Sequence, residues 1–367
     1  MRIGINATCY NDRPSGAKQR FLGLYGELFK LMSDHEFLIF QPNDCDFASW
    51  FKGENIKFIQ TPIPSEGRIL KVINGLNYWK QTLQKYHLDL FECFNIPTIE
   101  NPYGRTFHTI HDIRSVEFEP SVAKRWLSKF IHTKSIKKVD RIITVSNAMR
   151  SEILAHFPYA DVIKIYNGIN VRNTVLSDNI DILKRKEKLG LPNEFLLSVG
   201  HFEKRKNYGT LLDAIKLLKD RGQHISLIIV GNDNGEKKFI DEKINNLGLK
   251  NNVTLFSNLS NEDVLLMYKV CKAFIFPSTY EGFGIPILEA MANGKPFILS
   301  DIEVFKEITK GYGEFFNPKN KESMASSIIK TLDDVQLCNE LSEFGQKRVS
   351  DFDFKNLAIE LQAAYQE

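Results

Sequence analysis

Short runs rich in β-branched and aromatic residues alternate along the chain with longer stretches whose apolar positions recur every three to four residues. The first series of runs is RIGINAT at the N-terminus, EFLIFQ (36–41), IKFIQT (56–61), LDLFECF (88–94), TFHTIHD (106–112), RIITVS (141–146) and VIKIYN (162–167). After a polar stretch at 172–194 a second series follows: EFLLSVG (194–200), ISLIIVG (225–231), NVTLFSN (252–258), AFIFPST (273–279), PFILSD (296–301) and GEFFN (313–317). Nearly continuous apolar runs separated by helical patterns predict parallel sheets covered by helices. A helix is expected over 207–222, where Leu211, Leu212, Ile215 and Leu218 share a face, Asn207 is placed to cap and Gly222 to stop it. Ser260 and Asp263 form a capping-box pattern ahead of 260–270, and 353–365 is a further amphipathic helix. The fold class expected is α/β: two Rossmann-like domains, 1–170 and 171–352, joined near YNGI (166–169) and facing across a deep cleft. Ligands of open parallel sheets bind beyond the carboxyl ends of the strands, so that cleft is the expected site.

Composition narrows the class. A chain of 367 residues, 43% hydrophobic and 25% charged, suits two soluble globular domains. It has no unbroken apolar run of the roughly 18 residues a spanning helix needs, and MRIGINATCY reads as a first strand, not as a signal peptide. Any membrane contact is expected to be peripheral. Residues 1–170 carry 22 Lys/Arg against 17 Asp/Glu, and 171–367 carry 26 against 28. The mildly basic first half fits an anionic ligand, a membrane surface or simply a solvated face. Cys9, Cys45, Cys93, Cys271 and Cys338 form no CxxC pair and read as reduced core thiols of a cytosolic protein.

Several strand ends carry chemistry. In LSVGHFEKRKN (197–207) a buried strand gives way to Glu203, Lys204, Arg205, Lys206 and Asn207 ahead of a helix. Adjacent cations there make an anion site, or else a solvated basic turn. FHTIHDIRSVEFEP (107–120) places His108, His111 and Asp112 at another strand end. Residues 108 and 111 of a strand face opposite sides, which argues against a shared metal; one exposed histidine fits better as a hydrogen-bonding group, or as a structural one. In NDRPSGAKQRF (11–21), Pro14-Ser15-Gly16 makes a turn from which Lys18 and Arg20 reach toward an anion. Neither this turn nor VGNDNGE (230–236) has the GxGxxG fingerprint of nicotinamide dinucleotide binding or a P-loop.

The stretch STYEGFGIPILEAMANGKP (278–296) holds Glu281 in a turn and Glu289, expected in the first turn of a helix that has Pro286 near its start and Gly294 at its end. Amides around Phe283, Gly284 and Ile285 then face outward from a helix N-terminus, where phosphate binds readily. Two acceptor-only carboxylates flanking an anion site are favourable only with hydroxyl-bearing partners, a combination that a phosphorylated sugar supplies.

Taken together, YEGFGIPILE, VGHFEKRKN, TIHDI, VSNAMRSEI and IYNGI, in that family's order, resemble the family-4 retaining glycosyltransferases of GT-B fold over nearly the whole chain. The resemblance implies that Arg205 and Lys206 neutralise the donor pyrophosphate, Glu281 binds hydroxyls of the transferred sugar and Glu289 the donor ribose. It implies that the amides of Phe283, Gly284 and Ile285 touch sugar or phosphate, and that His111 contacts the sugar near its anomeric centre. It further implies that Gly16 lets the N-terminal loop approach the phosphates, that Leu259 offers its backbone to the base, and that 353–367 crosses back to the N-terminal domain. The loop PSGAKQRF departs from the commoner Gly-Gly-x-x-Arg-Tyr-like form, and His201 stands where arginine or threonine is frequent.

The expected activity is transfer of a hexose, with retention, from a nucleotide-sugar to a saccharide or lipid-linked saccharide of a surface polysaccharide or lipopolysaccharide. GDP-mannose is the first donor expected; a UDP-sugar, dTDP-rhamnose, or epimerase or phosphorylase chemistry is the alternative. No cofactor, metal or nucleic-acid partner is expected. KRWLSKFIHTKSIKKVD (124–140) mixes aromatic residues with cations, which suits either the inner face of the cytoplasmic membrane or packing on the sheet.

Overall fold

The computed structural model describes residues 1–13, 15–119, 121–175 and 181–367. Pro14 of the expected N-terminal turn and residues 176–180 of the polar stretch lie outside the described residues. The chain divides into two units: Met1–Gly168 together with Phe354–Glu367, and Ile169–Asp353.

The first unit is built on β1 (Arg2–Asn6), β2 (Glu36–Gln41), β3 (Ile56–Gln60), β4 (Leu90–Cys93), β5 (Arg105–Ile110), β6 (Arg141–Thr144) and β7 (Val162–Lys164). They pair in parallel in the order β3-β2-β1-β4-β5-β6-β7. The central strands are buried along their length because helices cover both faces, which explains their unbroken apolar runs. The strands are shorter than those runs. Ser146, for example, leaves β6 to cap the helix Asn147–His156, its hydroxyl accepting from the Met149 amide at 3.0 Å.

The last helix, Phe354–Gln366, packs on the helical segment running from Gly16 to Leu31. Phe354, Leu357, Leu361 and Tyr365 enter the same core as Ile3, Ile5, Leu24 and Leu28. At its end Tyr365 donates a hydrogen bond to the fully buried Glu92, which also accepts from Tyr25 at 2.7 Å and from Thr109. Burial raises the Glu92 carboxyl above its ordinary value even though these three hydroxyls hold it down.

The second unit holds β8 (Leu196–Val199), β9 (Leu227–Val230), β10 (Val253–Phe256), β11 (Ala273–Phe276), β12 (Phe297–Ser300) and β13 (Glu314–Phe316), parallel and ordered β10-β9-β8-β11-β12-β13. Leu211, Leu212, Ile215 and Leu218 of the helix Tyr208–Asp220 form its core with Ile229 and Ile275, and Gly222 follows the helix end at φ +80°. Asn207 does not cap that helix as its position suggests. It adopts a left-handed conformation and donates instead to the Pro277 and Pro318 carbonyls at 3.1 and 2.7 Å, tying together loops that the sequence separates. Ser260 does cap, accepting from the Asp263 amide at 3.1 Å.

The five cysteines are free; Cys93 and Cys271 are buried, whereas Cys9, Cys45 and Cys338 are only partly so, which corrects the reading of all five as core thiols. Among the described residues no helix is long and apolar enough to cross a membrane.

Candidate active site

Each sheet reverses its strand order once, between β1 and β4 in the first unit and between β8 and β11 in the second. Strands on either side of such a point send their following loops in opposite directions, which opens a crevice at their carboxyl ends.

In the second unit the loops after β8 and β11 meet there. Glu281 lies between two cations: one carboxylate oxygen accepts from Lys206 at 2.7 Å and from Ser278 at 2.8 Å, and the other from Arg205. Arg205 is also paired with Glu203 at 2.5 Å and donates to the Tyr280 carbonyl at 3.2 Å. Lys206 is 6% exposed and sits 4.5 Å from the Phe276 ring centroid. It crosses the end of β8 so closely that a Cβ on Gly200 would fall 2.9 Å from its Cε. Burial pushes the Glu281 carboxyl up, but Lys206 and Arg205 outweigh it and hold the group below its ordinary value. For Lys206 burial wins over Glu281, and its ammonium is held below the ordinary lysine range. Arg205 is also opposed by burial, yet Glu281 and Glu203 together raise it.

The turn after Glu281 reaches Gly284 at φ +151°, where a Cβ would lie 3.0 Å from Ile287 and 3.2 Å from Phe305. Ile285 then opens the helix Ile285–Ala292, preceded by the buried Phe283. Glu289 is its fifth residue, one position past the first turn where the sequence placed it, and it accepts from the buried Tyr268 hydroxyl at 2.8 Å. Leu259, half-buried, precedes the helix Asn261–Val270.

In the first unit, the ends of β1, β4 and β5 line a recess of roughly 230 Å³ with Cys9, Tyr10, Asn11, Phe94, Asn95 and His111, joined by Ser15, Ala17 and Lys18. His111 lies one residue beyond β5 and is not the exposed histidine expected. It is part-buried, its Nε2 is covered, and burial, then Arg20, then His108 lower its pKa to about 3, so the ring is neutral near pH 7. His108 is buried on β5 beside the Thr98 hydroxyl at 2.5 Å.

Gly16 is not in a loop: it is the first residue of the helix Gly16–Arg20, capped by Ser15, whose hydroxyl accepts from the Lys18 amide at 3.1 Å. Arg20 is 1% exposed and donates to the Ile165 and Tyr166 carbonyls and to Asn167, which corrects its expected reach toward an anion. Helical periodicity turns it inward, whereas Lys18, two residues earlier, stays at the recess, 4.2 Å from the Trp50 ring centroid and 3.6 Å from Asp12. Tyr10, Phe94 and Ser278 were not singled out in the sequence, although each follows a strand end, the one signal available.

Two parallel α/β sheets, the second with charged residues gathered at its switch point, are the layout of proteins that bind ligands at the carboxyl ends of their strands. Residues 179–348 match the family described as glycosyl transferases group 1, and residues 16–173 match glycosyltransferase family 4. Over 286 residues the chain is 30% identical to the O-antigen chain mannosyltransferase RfbU of Salmonella typhimurium, covering 77% of this chain and 75% of that protein. It is 27% identical over 271 residues to O-antigen chain mannosyltransferase B of Escherichia coli, covering 71% and 69% respectively. Sucrose-phosphate synthase of Thermosynechococcus elongatus shares the fold at a TM-score of 0.78, with 19% identity over 100% of this chain and 98% of that one. The chain therefore belongs to the group 1, family-4 glycosyltransferases, and it is an enzyme of GT-B fold.

Proposed function

We propose that this glycosyltransferase moves a mannosyl residue, with retention, from GDP-mannose to a saccharide or lipid-linked saccharide of an O-antigen-type surface glycan. The observation that carries the reading is the Glu281 carboxylate fixed between Arg205 and Lys206 at the switch point of the second sheet, in a chain similar to two O-antigen mannosyltransferases.

An ammonium has three donors and a guanidinium five, so each cation can keep Glu281 and still bind pyrophosphate oxygens. Glu281, already oriented, accepts from hydroxyls of the transferred sugar, while Glu289 accepts from the donor ribose. The Phe283–Ile285 amides approach sugar or phosphate at the helix N-terminus, and Leu259 presents its backbone to the base. His111, neutral, contacts the sugar near the anomeric carbon as a hydrogen-bonding group, and Gly16 borders the phosphates. In the reaction the bond from the anomeric carbon to the phosphate oxygen breaks, and the acceptor oxygen bonds to that carbon from the same face. The acceptor's hydroxyl proton passes to the departing phosphate. Stabilising charge on that phosphate lowers the barrier most, and Arg205 and Lys206 are cations already in place for it, without a metal.

A peripheral contact with an anionic membrane is part of this proposal. Between 121 and 139 the chain has six Lys/Arg and no acidic residue. On the helix Val122–Ile136 the side chains of Val122, Trp126, Leu127 and Phe130 are exposed, with Trp126 69% accessible. Apolar side chains flanked by cations suit the headgroup boundary and bring the enzyme to a lipid-linked acceptor.

The test offers GDP-mannose, UDP-glucose and dTDP-rhamnose with a lipid-linked saccharide, following products by mass spectrometry and their anomeric configuration by NMR. Acceptor-dependent consumption of GDP-mannose with retained configuration is expected. Turnover of a UDP-sugar alone would overturn the donor, and isomerised donor formed without acceptor would favour an epimerase.

A further inference from the structure

The cations at the second sheet's switch point are balanced by two carboxylates. Glu203 and Glu281 face Arg205 and Lys206, so the four groups sum to zero charge. Glu281 has a part in the reaction proposed above; Glu203 has none, yet it is built in with equal care. Its side chain is 11% exposed. One oxygen takes the Arg205 guanidinium at 2.5 Å, and the other accepts from the Asn234 amide at 3.2 Å. The backbone on either side is stitched to the loop after β9: the Phe202 amide donates to Asn232 at 2.9 Å, and the Phe202 carbonyl accepts from Asn234 and Glu236, both at 3.1 Å. The Lys206 amide returns to the Glu203 carbonyl at 3.0 Å. Glu203 therefore holds one edge of the guanidinium while Glu281 holds the other.

We infer that Glu203 is a positioning residue that sets the net charge felt by the leaving group. The inference rests on the assignment of Arg205 and Lys206 to the donor pyrophosphate. Once the proton taken from the acceptor is lost to solvent, the nucleoside diphosphate bears one more negative charge than the sugar nucleotide it came from. Buried Lys206 and part-buried Arg205, balanced by Glu281 alone, would keep a net positive charge, bind product more tightly than donor and slow its release, since the Coulomb term grows with ligand charge in a part-buried site. A second carboxylate, held on Arg205 beside the shared Glu281, removes that excess. It also fixes the guanidinium plane, so the remaining positive charge is aimed where charge develops on the phosphate.

The experiment measures the dissociation constants of GDP and UDP by calorimetry at low and high salt, with kcat and KM, on the full chain and on Glu203→Gln and Glu203→Asp, each checked by thermal melt. Glutamine keeps the shape and an acceptor oxygen but removes the charge. The expected result is about tenfold tighter nucleoside diphosphate binding in Glu203→Gln, with steeper salt dependence and with kcat and KM falling together, while Glu203→Asp stays near wild type. Unchanged or weaker binding in a folded Glu203→Gln would overturn the inference, as would equal tightening in Glu203→Asp. Failure of the wild-type chain to bind either nucleotide, or undiminished binding in Lys206→Ala, would instead overturn the assignment of the site.

Discussion

Lys206 and Arg205 share one carboxylate, so truncating Glu281 strands a buried ammonium and also takes away the group proposed to bind the sugar. Breaking a buried pair from one side costs about 3–5 kcal/mol, because the remaining charge has lost its compensation. Glu281→Ala and Lys206→Ala are each expected to lower kcat by about a hundredfold or more, and Glu281→Ala also to lower Tm. Steady-state kinetics beside a thermal melt check this, and near-wild-type turnover in both variants would move the chemistry elsewhere. The histidines make a pH prediction. His108 and His111 are each lowered to about 3 from an ordinary 6.5, chiefly by burial. The folded chain keeps both neutral where the unfolded chain takes up protons. Their contribution is therefore complete above about pH 6.5 and is lost as pH falls toward 3. Urea unfolding at pH 7 and pH 5 should show a stability gap that His108→Asn narrows, and kcat/KM should show no acid limb near 6.5 from His111. At this scale the sequence identified which residues carry charge at strand ends, and the structure supplied their partners. Nothing in EKRKN says that Glu203 and Glu281 hold opposite edges of one guanidinium 76 positions from Glu281.

Helix patterns are set by local periodicity, and the expected strands and the helices at 207–222, 260–270 and 353–365 are present within a few residues of their expected limits. Their ends differ where a tertiary partner competes, as when Asn207 turns to two carbonyls from distant loops. The final helix is held by more than its apolar face. Tyr365→Phe leaves buried Glu92 short of one donor and should destabilise the first unit by about 1–3 kcal/mol, read from denaturant midpoints. An unchanged midpoint would mean that Glu92 is held well enough by Tyr25 and Thr109. The helix Val122–Ile136 has the opposite character, with its first turns exposed and its buried residues, His132, Ser135 and Ile136, near its end. Trp126→Ala with Phe130→Ala should abolish flotation with vesicles containing anionic lipid at low salt while sparing turnover of a soluble acceptor. Absence of flotation in the unaltered chain would remove the membrane contact from the proposal.

At the scale of the whole molecule, the first unit is discontinuous and the second is not. The second unit's two ends meet, the Ile169 amide donating to the Phe352 carbonyl at 2.9 Å, and its core is closed within itself. A fragment of 169–353 is expected to fold cooperatively and to retain nucleoside diphosphate binding, by circular dichroism and calorimetry. A fragment ending at 168 lacks Leu357, Leu361 and Tyr365, exposes core that they cover, and should aggregate. A soluble, monomeric 1–168 fragment would show that the last helix is dispensable for the first unit.

The sequence by itself determined the alternation of strand and helix, the two parallel sheets and the presence of cations and carboxylates at strand ends, because periodicity and residue chemistry are local. Only the tertiary structure decided which charges meet. The reversal of strand order brings the loops after β8 and β11 together. Helical phase buries Arg20 and leaves Lys18 at the recess. Burial keeps His111 neutral, and Glu203 is matched to Arg205 through a loop fixed by the neighbouring strand. Those outcomes depend on distances between residues far apart in the chain, which local pattern does not encode.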